Sequence, residues 1–143
     1  MSTYYMNWAA FEVSTADLVD RTTYAVQIEH PDHEGIRLVV WHGELPVGKT
    51  IRQLAAQRMA AEMVRLDGYA VVDQREIAWC DTPAFEFTSR WRNDGIVYYQ
   101  RQVHFSPDGL WRSLALSGPL VSSAACDAWF EQIRTSLHLR QEP

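Results

Sequence analysis

Apolar and polar positions divide this chain into short segments of period two and two stretches of helical period. From Thr22 to Ile28 (TTYAVQI) and from Ile36 to Trp41 (IRLVVW), β-branched and aromatic residues predict two strands. Between them, His30-Pro31-Asp32-His33-Glu34-Gly35 gathers turn-forming residues and predicts a surface loop. Ile51, Leu54/Ala55, Met59, Met63 and Leu66 then recur at steps of three and four, the spacing of one helix face. Thr50 and Gln53 have capping-box spacing at the start of that helix, and Gly68 is expected to end it.

The second half alternates more strictly. Tyr69 to Trp79 reads as a strand, and Asp81-Thr82-Pro83 as a turn. Phe85, Phe87, Ser89 and Trp91 then interleave with Glu86, Thr88 and Arg90. Asn93-Asp94-Gly95 and Ser106-Pro107-Asp108-Gly109 are hairpin signals on either side of a strand from Ile96 to Phe105, with another from Leu110 to Ser117. Short links between alternating segments predict an antiparallel meander of about four strands. A last helix follows, capped by Ser122 or Ser123, with Asp127 near its positive end and Cys126, Trp129/Phe130, Ile133 and Leu137 as its apolar stripe. The class is α+β, a single domain over residues 1–143 with two helices and a largely antiparallel sheet of about seven strands.

Charge narrows the partners. Eighteen acidic residues against 13 basic ones give a net charge of −5, the wrong sign for general nucleic-acid binding or for attraction to anionic lipid. No apolar run is long enough to span a membrane, and MSTYYMNWAAFEV lacks the basic start and apolar stretch of a secretion signal, so a cytoplasmic protein is expected. Cys80 and Cys126 are too few for a disulfide scaffold and read as reduced, mostly buried side chains. Six Trp, six Tyr and five Phe exceed what a small core needs, and the surplus calls for an interface or a groove.

One motif invites an enzymatic reading. Gly43-Glu44-Leu45-Pro46-Val47-Gly48-Lys49-Thr50 fits the phosphate-loop pattern GxxxxGK[ST] between a strand and a helix. Pro46, however, has no N–H to offer a phosphate, and Glu44 would repel one. The remaining 93 residues read as hairpins, not as the helical crossovers that a parallel sheet requires. The segment therefore reads as a loop that turns at Gly48 and caps a helix at Thr50. His30 and His33 lack a third metal ligand at useful spacing, His104 reads as a core or rim histidine, and no nucleophile elbow is present. Neither catalysis nor a cofactor nor a metal is expected.

Alternation assigns the sheet faces. Val97, Tyr99, Arg101, Val103 and Phe105 share one face of their strand, and Ile96, Tyr98, Gln100, Gln102 and His104 the other. Arg37, Val39 and Trp41 separate likewise from Ile36, Leu38 and Val40. Two helices cannot cover both faces of so wide a sheet, so part of one face is left for solvent or a guest.

Local strings across about 130 residues resemble the DcrB-related domain family, in particular its cytoplasmic branch of Eag chaperones. They are Thr3-Tyr4-Tyr5-Met6-Asn7 with Phe11-Glu12-Val13, Asp20-Arg21-Thr22-Thr23, Gly35 to Gly48 with its Leu-Pro-x-Gly turn, Leu66-Asp67-Gly68-Tyr69, Thr82-Pro83-Ala84, Gln100-x-Gln102-Val103-x-Phe105, and the last helix with Trp129. The resemblance implies a curved sheet of the Mog1/PsbP-like fold. It also implies a chaperone that shields the N-terminal transmembrane helices of a PAAR- or Rhs-type type VI secretion effector, works as a homodimer and does not itself enter the membrane. Its groove would include Gln102, Thr22, Thr23, Arg37, Val39, Trp41, Arg58 and Tyr98. Arg37, Trp41 and His42 stand where the family often has Ser, Ser and Arg, and Arg58 where it often has Gln. A small-ligand or regulatory domain of the same fold is the alternative from another class.

Overall fold

The computed structural model describes residues 2–5, 9–13, 18–20 and 25–139. Among the described residues, ten strands and two α-helices run in the order β1 (Ser2–Tyr5), β2 (Ala9–Val13), β3 (Leu18–Asp20), β4 (Ala25–Glu29), β5 (Arg37–Glu44), α1 (Ile51–Arg65), β6 (Asp67–Trp79), β7 (Thr82–Asn93), β8 (Ile96–Phe105), β9 (Leu110–Pro119), α2 (Ser123–Ser136) and β10 (His138–Leu139). The main sheet has the order β3-β4-β5-β9-β8-β7-β6, with every ladder antiparallel. Six of its strands are long and β3 is a three-residue edge, matching the α+β expectation. A second sheet, β1-β2-β10, was not foreseen, because β10 is only two residues long and carries no periodicity of its own.

The principal core lies between the main sheet and α2. Ile28, Leu38, Val40, Leu114, Leu116, Val103, Phe105 and Trp79 meet Cys126, Trp129, Phe130, Ile133 and Leu137, so the predicted stripe of the last helix is the buried one. Burying such side chains contributes roughly 1.5–3 kcal/mol each before entropy is subtracted. Asp127 lies beyond the first turn of α2 and, rather than facing its positive end, accepts from the Tyr99 hydroxyl at 2.5 Å and from Arg101 at 3.3 Å. The expected serine cap makes no side-chain bond. A 3₁₀ turn over Leu120–Ser122 leads into α2 instead.

Gly118 lets β9 close on this core. A Cβ there would stand 2.9 Å from Ile36 Cγ1 and 3.2 Å from Cys126 Sγ. Gly118→Ala is therefore expected to cost about 1–3 kcal/mol by overpacking, read as a lower urea midpoint at unchanged slope.

On the other face α1 packs over β6, β7 and β8. Thr50 caps it as predicted: its hydroxyl accepts from Gln53 N at 3.1 Å, and Gln53 Oε1 accepts from Thr50 N at 2.9 Å. The segment that imitates a phosphate loop thus ends an antiparallel strand and forms a capping box. The helix stops at Arg65, with Leu66 already extended, and Gly68 (φ +62°) falls inside β6 rather than ending α1. Its buried face also differs from the expected stripe. Leu54, Ala55 and Glu62 are buried, whereas Met63 is 61% exposed. The β6–β7 turn uses Cys80 and Asp81, both at positive φ, because Thr82 and Pro83 already belong to β7. Asp94 and Gly95 make the next turn, as anticipated.

Candidate functional site

Strand register carries the sequence-predicted residues onto the α1 face. Three rungs cross it from β7 through β8 and β9 to β5: Phe85–His104–Ser113–Trp41, Phe87–Gln102–Ala115–Val39 and Ser89–Gln100–Ser117–Arg37. Because side chains alternate strictly, each rung puts four side chains on one surface. Gln102 and Val39 are therefore separated by only the Ala115 methyl. Tyr98 begins the same row at the β7–β8 end, stacked on Trp91 at 5.8 Å. Thr22 and Thr23 lie outside the described residues.

With α1 over β6 to β8, the lane Ser113–Ala115–Ser117 along β9 forms the floor of a trough. Val39, Trp41, Ala115, Ser117, Gln100 and Tyr98 are half-buried, and Arg37 is exposed at its rim. Trp41 bends over Gly43, where a Cβ would sit 2.6 Å from its ring, and meets Trp111 edge to face at 4.7 Å. Only glycine at 43 leaves room for that ring.

A directional hydrogen-bond chain runs beneath the trough. Trp111 Nε1 donates to His104 Nδ1 at 2.9 Å, so the imidazole proton resides on Nε2 and is donated to Gln102 Oε1 at 3.1 Å. The Gln102 amide then donates to Glu62 Oε1 at 3.0 Å and to Gln100 Oε1. His104 is 2% exposed and stacks on Phe87. Burial, helped by the charge of Arg58, holds its pKa down to about 3, so it is neutral across the physiological range.

Glu62, 3% exposed, pairs with Arg58 at 3.4 Å. Arg58 thereby joins the site through a carboxylate rather than by entering the trough. Glu62 Oε2, Ser89 Oγ and Tyr69 Oη, at the seam between α1 and the sheet, are buried and lack hydrogen-bond partners. Burial raises the Tyr69 phenol well above its ordinary pKa, with Ser89 and Glu62 as its polar neighbours. Sequence reasoning named Gln102 but missed Glu62, Trp111 and the β9 lane. Alternation on β9 would have placed the lane, whereas nothing local marks an acid at a helical core position.

The other chemistry weighed on sequence is structural. His30 Nδ1 accepts from the backbone of Asp32 and His33, ordering the predicted surface loop, and its ring packs on Trp129. Among the described residues no three His, Cys, Asp or Glu side chains gather as a metal site, and no helix is long and apolar enough to cross a membrane. Cys80 and Cys126 are free thiols, both pushed up by burial.

The DcrB family pattern matches residues 10–136, nearly the whole fold just described. The chain belongs to the DcrB family. No curated protein matches this DcrB domain. Among solved structures it is similar to the cyanobacterial PsbP of Synechocystis sp. PCC 6803, with a TM-score of 0.76 at 14% identity, covering 97% of this chain and 92% of that one. It is similar also to LpqN of Mycobacterium tuberculosis, described as involved in cell envelope biogenesis (TM-score 0.69, 11% identity, 93% and 83% covered). A Pseudomonas aeruginosa protein described as a putative regulator gives a TM-score of 0.62 at 14% identity, with 91% and 99% covered. At these identities the likeness gives the DcrB domain a PsbP-like fold.

Proposed function

We propose that the trough binds an apolar α-helix of another protein, and that the protein is a cytoplasmic chaperone for the N-terminal transmembrane helices of a PAAR- or Rhs-type secretion effector. The supporting observation is the Gln102–Ala115–Val39 rung, in which a small floor residue lies between a buried amide and an aliphatic wall. Transmembrane helices associate through close packing at small residues and through side-chain hydrogen bonds, and this surface offers the small residues Ala115 and Ser117 and the half-buried amide of Gln100. A lipid-soluble span left in water aggregates, and a trough that replaces its lipid contacts holds it in solution. A homodimer would present two such troughs, so an effector with two spans gains avidity. The net charge of −5 keeps the loaded complex soluble.

Co-expression with a PAAR effector encoded beside this gene is expected to yield a stoichiometric complex through the effector's apolar N-terminal segment. An effector that stays soluble alone and forms no complex overturns the reading. Val39→Asp and Ala115→Glu are each expected to weaken the complex about tenfold to a hundredfold, since each puts a charge against an apolar helix. The unfolding midpoint should stay close to wild type, because both positions are half-buried at the trough surface.

A further inference from the structure

We infer that each trough takes one helix, not two, and that it lies along β9, parallel to the strands and beside α1. This rests on the helix-shielding function proposed above and adds number, direction and length. The argument starts from width. α1 occupies the β6–β8 half of this face, leaving β9, β5, β4 and the three-residue edge strand β3. Four strands span about 19 Å at ~4.8 Å apiece, less than the ~20–24 Å that two helices of about 10–12 Å diameter need side by side. A second helix would have to displace α1, which Leu54, Ala55 and the Gln102–Glu62 bond hold to the sheet.

Length comes from the aromatic pairs. Tyr98 with Trp91 stands at the rung of Pro119, and Trp41 with Trp111 at the opposite end of β9. Pro119 and Trp111 are eight strand residues apart, about 27 Å, which matches about 18 helical residues at 1.5 Å each. Aromatic side chains at both ends of an apolar span are the arrangement that a membrane itself provides at its two interfaces. Between the pairs, Ser113, Ala115 and Ser117 let a helix backbone approach closely only if it runs along them. Laid across the strands, it would meet the small lane once and rest on Trp41 or Arg37 elsewhere.

The inferred guest is thus one apolar span of about 18 residues, with small residues on the face toward β9.

Cross-linking tests this directly. Ala115→Cys and Pro119→Cys, both at half-buried positions on the trough face of β9, are made separately in a Cys80→Ser background, Cys126 being fully buried. The probe is a synthetic Lys-flanked peptide with an 18-residue Leu/Ala core and a single scanned Cys. The two positions are four strand residues apart, about 13 Å, equivalent to about nine residues of a helix lying along β9. The expected result is two sets of disulfide-forming probe positions, each recurring every three or four residues and displaced from one another by about nine. Coincident sets mean a helix crossing the strands, and binding without disulfides means another seat. Either overturns this inference and leaves the shielding function standing. A probe that does not bind at all, by anisotropy, overturns both.

Discussion

Replacing Gln102 by alanine is expected to lower the stability of the fold by about 3 kcal/mol, even though the residue is read as part of a binding surface. Its amide is 1% exposed and bonds at once to His104, Glu62 and Gln100. Truncation leaves the His104 Nε2 proton without an acceptor and removes the sheet's donor to a buried carboxylate, at about 1–3 kcal/mol for each group stranded. Urea unfolding followed by far-ultraviolet circular dichroism measures the loss, with the slope unchanged. Adding Glu62→Met should recover part of it, since removing both partners avoids the stranded charge. Equal and additive losses would mean that the Gln102–Glu62 bond does not couple α1 to the sheet. The consequence for binding studies is concrete: Gln102 variants confound affinity with folding, and Val39 and Ala115 are the cleaner probes.

Acid is expected to destabilise the protein through His104 before most carboxylates titrate. In the unfolded chain this imidazole takes up a proton near its ordinary value of 6.5; in the folded protein it does so only at about 3. The unfolded state therefore binds more protons between those values, and stability falls as pH is lowered. The contribution is complete above pH 6.5. At about 1.4 kcal/mol per unit, roughly 3 kcal/mol is lost by pH 4.5. The charged groups facing the ring are Arg58 and Glu62 of α1: Arg58 opposes protonation, and Glu62 is already engaged by Gln102 and Arg58. His30 and His42, which are also shifted down, act in the same direction but are less buried. His104→Gln should flatten the decline between pH 7 and 4.5 by about 3 kcal/mol relative to wild type, measured by urea unfolding at both pH values. An unchanged slope against pH would place the acid-sensitive group elsewhere.

The faces of the sheet were readable because a strand's period is exact: once Gln102 and Val39 were known to lie on alternating segments, only register remained to join them. The α1 stripe was less readable. Steps of three and four admit either Glu62 or Met63 on the buried face, and apolarity favours Met63. The choice is made by Gln102, forty residues further on, which no local pattern connects to Glu62. The Cys80–Asp81 turn was placed one residue late, because Pro83 looks like a breaker while two non-glycine residues at positive φ leave no signature. The trough was half legible. Its walls come from alternation, but its floor is Ser113, Ala115 and Ser117, residues ordinary in sequence that matter only because larger side chains stand on both sides.

The pairing of β5 with β9 also sets when the site can exist during synthesis. β6 to β9 form by successive hairpins, whereas β5 must wait for a partner that begins 66 residues after its own last residue would suggest by adjacency, with Glu44 meeting Leu110. Such long-range closure is slow relative to hairpin formation. The lane on β9 and the wall on β5 come together only at that step, so a nascent chain on the ribosome has no trough until β9 has emerged. Under the proposed function, a client span made at the same time must be met by molecules of this protein already finished.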